Sequence, residues 1–115
     1  MRAISRATLK KLNKQCQIIK SNADRPDLIC FPELCISGYA WDTAKKNAPS
    51  EKKCWAELAA KYETAILAGA MCEDGGQFYD TAALWDSSGM EIAEYRKIHL
   101  WGDEERHLAK GDSLA

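Results

Sequence analysis

The sequence predicts an α/β fold built around a mixed sheet. Three observations carry this. An amphipathic helical pattern comes first, an unbroken apolar run too short for a helix follows it, and after a second helical pattern three strand-like segments are separated by Gly-rich turn signals.

Leu9, Leu12, Cys16 and Ile19 recur at helical spacing, so residues 7–21 read as an amphipathic helix with Thr8 as its cap. Residues 22–26 break it. Leu28, Ile29, Cys30 and Phe31 form a strand whose continuous apolar character suits cover on both faces, and Pro32 ends it. Residues 33–49 lack periodicity and read as loop. Ser50 caps a second helix that places Cys54, Trp55, Leu58, Ala59 and Tyr62 on one face. Residues 65–72 are an apolar strand, Asp74-Gly75-Gly76 a turn, and residues 78–85 its partner. Asp86-Ser87-Ser88-Gly89 is a second turn, leading into a strand at 90–95. Nothing beyond residue 95 supplies a helix to cover these strands, and a sheet with open edges and a bare face is prone to associate.

The bulk properties narrow the function classes. The 115 residues suit one small domain, and 46% hydrophobic with 29% charged residues is a globular balance. A formal net charge of −1 gives no reason to expect a nucleic-acid partner. The charge is uneven. Arg2, Arg6, Lys10, Lys11, Lys14 and Lys20 fall in a 23-residue stretch without an acid, which reads as the solvated face of the first helix rather than a serine-rich transit peptide. No apolar run is long enough for a membrane span. Five cysteines, Cys16, Cys30, Cys35, Cys54 and Cys72, are an odd number without a C-x-x-C pair, which points to reduced thiols in a cytoplasmic protein and away from structural zinc.

Two segments could carry chemistry. In DLICFPELCISGYAWD, residues 27–42, Glu33 lies just past the carboxyl end of a strand, where α/β sheets build sites. Partial desolvation by Phe31, Tyr39 and Trp41 would push its pKa up, as suits a general base; a Pro-Glu after a strand is more often an ordinary loop. In YRKIHLWGDEERHLAKGD, residues 95–112, Lys97 also follows a strand and could stabilise a developing oxyanion, although most such lysines are merely solvated. His99 and His107 could act as acid–base groups or ligands, but a histidine beside Leu100 and Trp101 is more often packed in a core.

Together the two segments resemble the nitrilase superfamily, the carbon–nitrogen hydrolases. Asp27-Leu28-Ile29-Cys30-Phe31-Pro32-Glu33 with Gly38-Tyr39 is similar to that family's glutamate motif. Tyr95-Arg96-Lys97-Ile98-His99-Leu100, then Glu104 or Glu105, then Gly111-Asp112, is similar to its lysine motif. Gly69, Glu73, Tyr79 and the Gly89 turn fall where the family has similar residues. The resemblance implies part of an α-β-β-α sandwich, truncated at both ends, with residues 1–115 forming a partial domain. It also implies a Glu–Lys–Cys site that hydrolyses non-peptide carbon–nitrogen bonds of a small amide, nitrile or carbamoyl substrate, with no cofactor and no metal. Carried over by position, Glu33 is the base and Lys97 the oxyanion stabiliser. Glu104 or Glu105, with Tyr39, positions the substrate. A homo-oligomer is expected, without nucleic acid or membrane.

Several positions depart from the pattern. Residues 1–7 are too short and basic for the family's first strand, Asp80 replaces a usual asparagine, Leu108 a usual phenylalanine, and the nucleophile motif lies beyond residue 115. Cys30 would be buried in its strand, and Cys35, on the loop near Glu33, is a weak substitute; neither is expected to serve as nucleophile. The leading expectation is therefore a truncated hydrolase without turnover of its own. Its alternative is a non-catalytic module that self-associates or pairs with an intact homologue. A third reading is a thiol or metal site built from Cys30, Cys35 and His99.

Overall fold

A computed structural model describes residues 4–22 and 25–113 of the chain. Arg2 of the basic stretch and two residues of the break at 22–26 lie outside the described residues. The elements run α1 (Arg6–Lys20), β1 (Leu28–Cys30), α2 (Trp41–Tyr62), β2 (Ala65–Asp74), β3 (Gln77–Trp85), β4 (Glu91–Arg96) and a 3-10 helix at Gly102–Arg106. The four strands form one sheet in sequence order. β1 pairs parallel with β2, while β2–β3 and β3–β4 are antiparallel. The expected mixed α/β sheet is therefore present, with the expected order of elements.

The core lies on one face of this sheet. Strand alternation puts Ile66, Ala68, Ala70, Ala83 and Trp85 on the side of α2, where they meet Cys54, Trp55, Leu58 and Ala59, and Ile29 pairs with Ile66 on the same side. Leu12 and Cys16 of α1 are also buried, and α1 is tied to the end of α2 by the Tyr62 hydroxyl, which donates to the Asn13 carbonyl at 3.0 Å. The hairpin between β2 and β3 turns on Gly75 and Gly76, at φ 59° and 82°, the left-handed pair that a two-residue turn requires.

Three expectations about local structure need correction. The cap of α1 is Ser5, whose Oγ accepts from the Thr8 amide at 3.2 Å. Thr8 lies inside the helix, one turn later. Ser50 caps nothing, because α2 begins at Trp41 and only residues 33–39 are turns. Pro49 hid the first half of this helix. It removes one intrahelical donor, a cost of about 3 kcal/mol in a helix interior. Burial of Ala44 and Ala48 against Leu34, Met71 and Leu108 offsets that cost, and alanines give a weak periodic signal in sequence. Finally, β1 is covered on one face only. Ile29 is buried, but Leu28 is 45% exposed and Cys30 is exposed, because no layer covers that face of the sheet among the described residues.

The same open face carries Leu67, Ala82 and Ala93, all exposed; Leu67 and Ala93 are in register with Leu84 of β3 between them. Among the described residues the segment after β4 supplies only the five-residue 3-10 helix, whose Glu104 accepts from Lys97 just past β4.

Candidate active site at the end of the open sheet face

The site forms where the chain leaves β1 and β4. Phe31 continues the parallel ladder, its amide donating to the Leu67 carbonyl at 2.8 Å, and its ring packs on Trp55 with centroids 4.6 Å apart. The chain then crosses over Gly69. A Cβ at Gly69 would stand 2.7 Å from the Glu33 Cα and 2.6 Å from the Leu34 nitrogen, so only glycine lets this backbone lie so close to the sheet. Leu34 follows at φ 44°, a strained conformation for a leucine, held because its side chain is buried among Ala44, Ala48, Met71 and Leu108. The reversal leaves the Glu33 side chain above the open face.

Lys97 reaches the same place from the other side. Its amide donates to the Asp80 carbonyl at 2.8 Å, extending the β3–β4 ladder by one residue, and its carbonyl accepts from the Gly111 amide at 3.0 Å. Gly111 abuts the Arg96 carbonyl too closely for any side chain. Lys97 is thus fastened on both sides, opposite Asp80.

The side chains converge. Lys97 Nζ donates to Glu33 Oε1 at 2.8 Å and to Glu104 Oε2 at 3.3 Å. The Tyr39 hydroxyl donates to Glu33 Oε2 at 2.6 Å. Glu104 is buried, and its Oε1 accepts from the Trp101 amide at 2.7 Å, which fixes it inside the 3-10 helix. Glu105, one residue on, is exposed, with its carboxylate 4.0 Å from Lys110. Of the two acids left open by the sequence, Glu104 meets the lysine and Glu105 does not.

The electrostatics differ from expectation. Glu33 is not pushed up. The carboxyl of Asp80 beside it holds it down to about 2, with Lys97 and Tyr39 adding to the effect and partial burial opposing it. The Glu33 side chain is still 39% accessible, so desolvation is too weak to win. Glu33 raises Lys97 in turn, and it pushes the Tyr39 phenol up to about 12. Both members of the central pair are therefore charged at neutral pH.

Two clefts meet at this pair. One, of about 600 Å³, is lined by Glu33, Tyr39, Trp41, Lys97, Trp101, Asp103 and Glu104. The other, of about 380 Å³, runs onto the open sheet face past Gly69, Asp80 and Tyr95. No cysteine lines either. Cys30 is exposed and Cys35 packs against the core beneath the sheet. His99 is exposed rather than packed, because the Trp101 beside it is itself 83% exposed. His107 stacks on Trp41 at 4.9 Å and stands 3.4 Å from Asp103. Cys30, Cys35 and His99 do not gather within ligating distance among the described residues. The group that does is Glu33, Asp80 and Glu104, with carboxylate oxygens within 4.8 Å of one another. The ammonium of Lys97 already supplies the positive charge there.

Sequence reasoning noted Asp80 only as a departure and missed Trp101 and Asp103 as cleft walls. The available signal for Asp80 was an acid within a strand whose neighbours are small or apolar.

The carbon–nitrogen hydrolase family model matches residues 5–113. The chain belongs to the carbon–nitrogen hydrolase family. Among its relatives in this family, the omega-amidase NIT2-B of Xenopus laevis is 28% identical, over 90% of this chain and 43% of its own. The 2-oxoglutaramate amidase of Bacillus subtilis (strain 168) is 28% identical, over 78% of this chain and 37% of its own. The solved structure of an amidase from Nesterenkonia sp. superimposes with a TM-score of 0.80 at 21% identity, over 97% of this chain and 45% of that one. The carbon–nitrogen hydrolase chain described here therefore has the fold of these amidases but spans less than half of their length. No helix among its described residues is long and apolar enough to cross a membrane.

Proposed function

We propose that this chain supplies the glutamate and lysine of a nitrilase-type hydrolase acting on the carbon–nitrogen bond of a small amide. The observation that carries this reading is the position of Lys97 Nζ, 2.8 Å from Glu33 and 3.1 Å from Glu104 at the mouth of two clefts. In the reaction, Glu33 takes the proton of a cysteine thiol that is not among these 115 residues, and the thiolate attacks the amide carbon. Lys97 stabilises the negative oxygen that develops. The leaving nitrogen takes the proton back from Glu33 and departs as ammonia, and Glu33 then activates the water that hydrolyses the thioester. Glu104 orients Lys97 and faces the substrate cleft, as does Tyr39. The amidase names of the relatives favour amide substrates over nitriles.

None of the five cysteines lines the clefts, so the 115 residues alone should release no ammonia. The test is ammonia release from small primary amides by the chain alone and by the chain combined with a fragment bearing the family's cysteine segment. Turnover only in the combination, reduced about 100-fold or more by Glu33→Gln or Lys97→Met, supports the reading. Turnover by the pure chain, abolished by Glu33→Gln, overturns the inactivity; combined activity indifferent to both substitutions overturns the roles.

A second reading has its own support. Leu28 and Leu67 are 45% and 38% exposed on the open sheet face, and such a surface favours association with another copy or an intact homologue. Solution mass distinguishes it: a stable oligomer that never acquires hydrolysis favours an interaction module.

A further inference from the structure

Asp80 is a carboxyl that the proposed reaction does not use. It lies on β3 with 3% of its surface exposed, where the resemblance leads one to expect an amide. Its surroundings come from three other segments. Glu33 comes from the turn after β1 and Tyr39 from the same turn. Lys97 follows β4, and Glu104 belongs to the 3-10 helix. Three carboxylates thus share the neighbourhood of one ammonium, their oxygens within 4.8 Å of one another. The ammonium of Lys97 donates to Glu33 and Glu104 and not to Asp80. Asp80 Oδ2 is buried and has no hydrogen-bond partner.

An ionised Asp80 here would be a buried anion without a donor, beside two other anions. Two carboxylates this close cannot both ionise cheaply, and the proton goes to the one with less solvent and no hydrogen bond from the cation. A protonated Asp80 turns its unpartnered oxygen into a donor, and the Glu33 oxygens, which already accept from Lys97 and Tyr39, retain lone pairs to receive it. We propose that Asp80 is a carboxylic acid at neutral pH and shares its proton with Glu33, so that the two form one titrating unit whose proton sets the basicity of Glu33. The direction of the titrations agrees. Burial, and then the neighbouring Glu33, push Asp80 up to about 8, while the Glu33 partner is held down to about 2. The pair therefore holds one proton over the neutral range and loses it only as the pH passes about 8. Under the hydrolase reading, on which this last consequence rests, Asp80 is a positioning residue. While protonated it keeps Glu33 ionised but weakly basic, and its ionisation strengthens Glu33 as a base.

The test needs no turnover. Carboxyl carbon shifts of the 115-residue chain are followed from pH 3 to pH 10 by nuclear magnetic resonance. The expected result is one aspartate carboxyl with its midpoint near pH 8, missing in Asp80→Asn, and a Glu33 carboxyl that senses the same midpoint without ionising there. Thermal stability gives a second reading, taken in a Glu51→Gln background so that the other raised carboxyl does not contribute. Unfolded Asp80 releases its proton near its ordinary value of 3.8, so the native state holds the extra proton and the melting temperature should fall as the pH rises from about 4 to about 8. Asp80→Asn should remove that fall. An Asp80 carboxyl already ionised at pH 6, with or without added magnesium ion, overturns the proposal even if the asparagine variant fails to fold. Loss of the hydrolase reading would show instead in the combined-fragment assay and would leave the shared proton untouched.

Discussion

Glu33 and Lys97 are 64 residues apart in the chain and 2.8 Å apart in space. The contact joins the end of β1 to the end of β4, the two edge strands of the sheet. Removing the ammonium should release the glutamate from one of its restraints. In Lys97→Met the Glu33 carboxyl is expected to titrate closer to the ordinary 4.5 than the wild-type value of about 2. Glu104, with an 8% exposed side chain, loses its cation, so the variant should be less stable by about 1–3 kcal/mol. Carboxyl carbon titration and urea unfolding read the two effects. A Glu33 midpoint that does not move would show that Lys97 contributes nothing to it.

Glu33 itself sets an acid limit. Its native value lies below its unfolded one, so its contribution to stability is complete above about pH 4.5 and is lost as the pH falls toward 2. Glu33→Gln should flatten the stability curve over that interval, and it should also reduce the fall toward pH 8 that Asp80 causes, because the Glu33 carboxylate helps to push Asp80 up. Unfolding free energies at pH 3 and pH 6 test this, and equal slopes for the variant and the wild type would contradict it.

Gly69→Ala should disturb the site from beneath. The new methyl would stand 2.7 Å from the Glu33 Cα and 2.6 Å from the Leu34 nitrogen, both backbone atoms that cannot rotate away. A destabilisation of about 1–3 kcal/mol is expected, with displacement of Glu33 from Lys97. The thermal midpoint and the Glu33 carboxyl shift report these effects together, and a variant unchanged in both would mean that the crossing is looser than its geometry implies.

Glu51 is a fully buried acid in the middle of α2. It accepts from the Met71 amide at 3.2 Å and from the Ser37 hydroxyl at 3.1 Å, which ties α2 to the sheet and to the turn that carries Tyr39. Burial pushes it up to about 7 from 4.5. The native state therefore keeps a proton that the unfolded chain releases, and stability should fall as the pH rises from about 4.5 to about 7, then level off. Glu51→Gln keeps an acceptor for the Met71 amide and removes the titration. At pH 8 it should be more stable than the wild type, by an amount approaching 3 kcal/mol at most. Chemical denaturation at pH 5 and pH 8 measures it; a wild type equally stable at both values would refute the shift.

The open face makes a prediction about mass. With Leu28 and Leu67 exposed, the chain should self-associate at micromolar concentrations, and Leu67→Lys should move it toward the monomer without loss of helix content. Sedimentation velocity separates the two, and a wild-type monomer at 100 micromolar, as an order of magnitude, would remove this support for the interaction reading.

Much of the fold was legible because its signals are local. The Leu9–Ile19 periodicity, the run at residues 28–31 and the two glycine turns each express a conformational preference within a few residues. The first half of α2 was not legible. Alanines carry little periodic signal, and Pro49 reads as a stop unless the packing that overrides it is known. The burial of β1 was misjudged for a related reason, since an apolar run does not say which of its faces another layer will cover.

By itself the sequence determined the family, the order of the elements and the two motifs that place Glu33 and Lys97 at strand ends. These are properties of residue type and spacing. Only the tertiary structure decided how the charges interact. It set Glu104, and not Glu105, beside Lys97, brought Asp80 within reach of Glu33, and turned an expected upward shift of Glu33 into a downward one. The reason is physical. A carboxyl's ionisation depends on donors, charges and solvent within a few ångströms, and here those neighbours come from segments far apart in the chain.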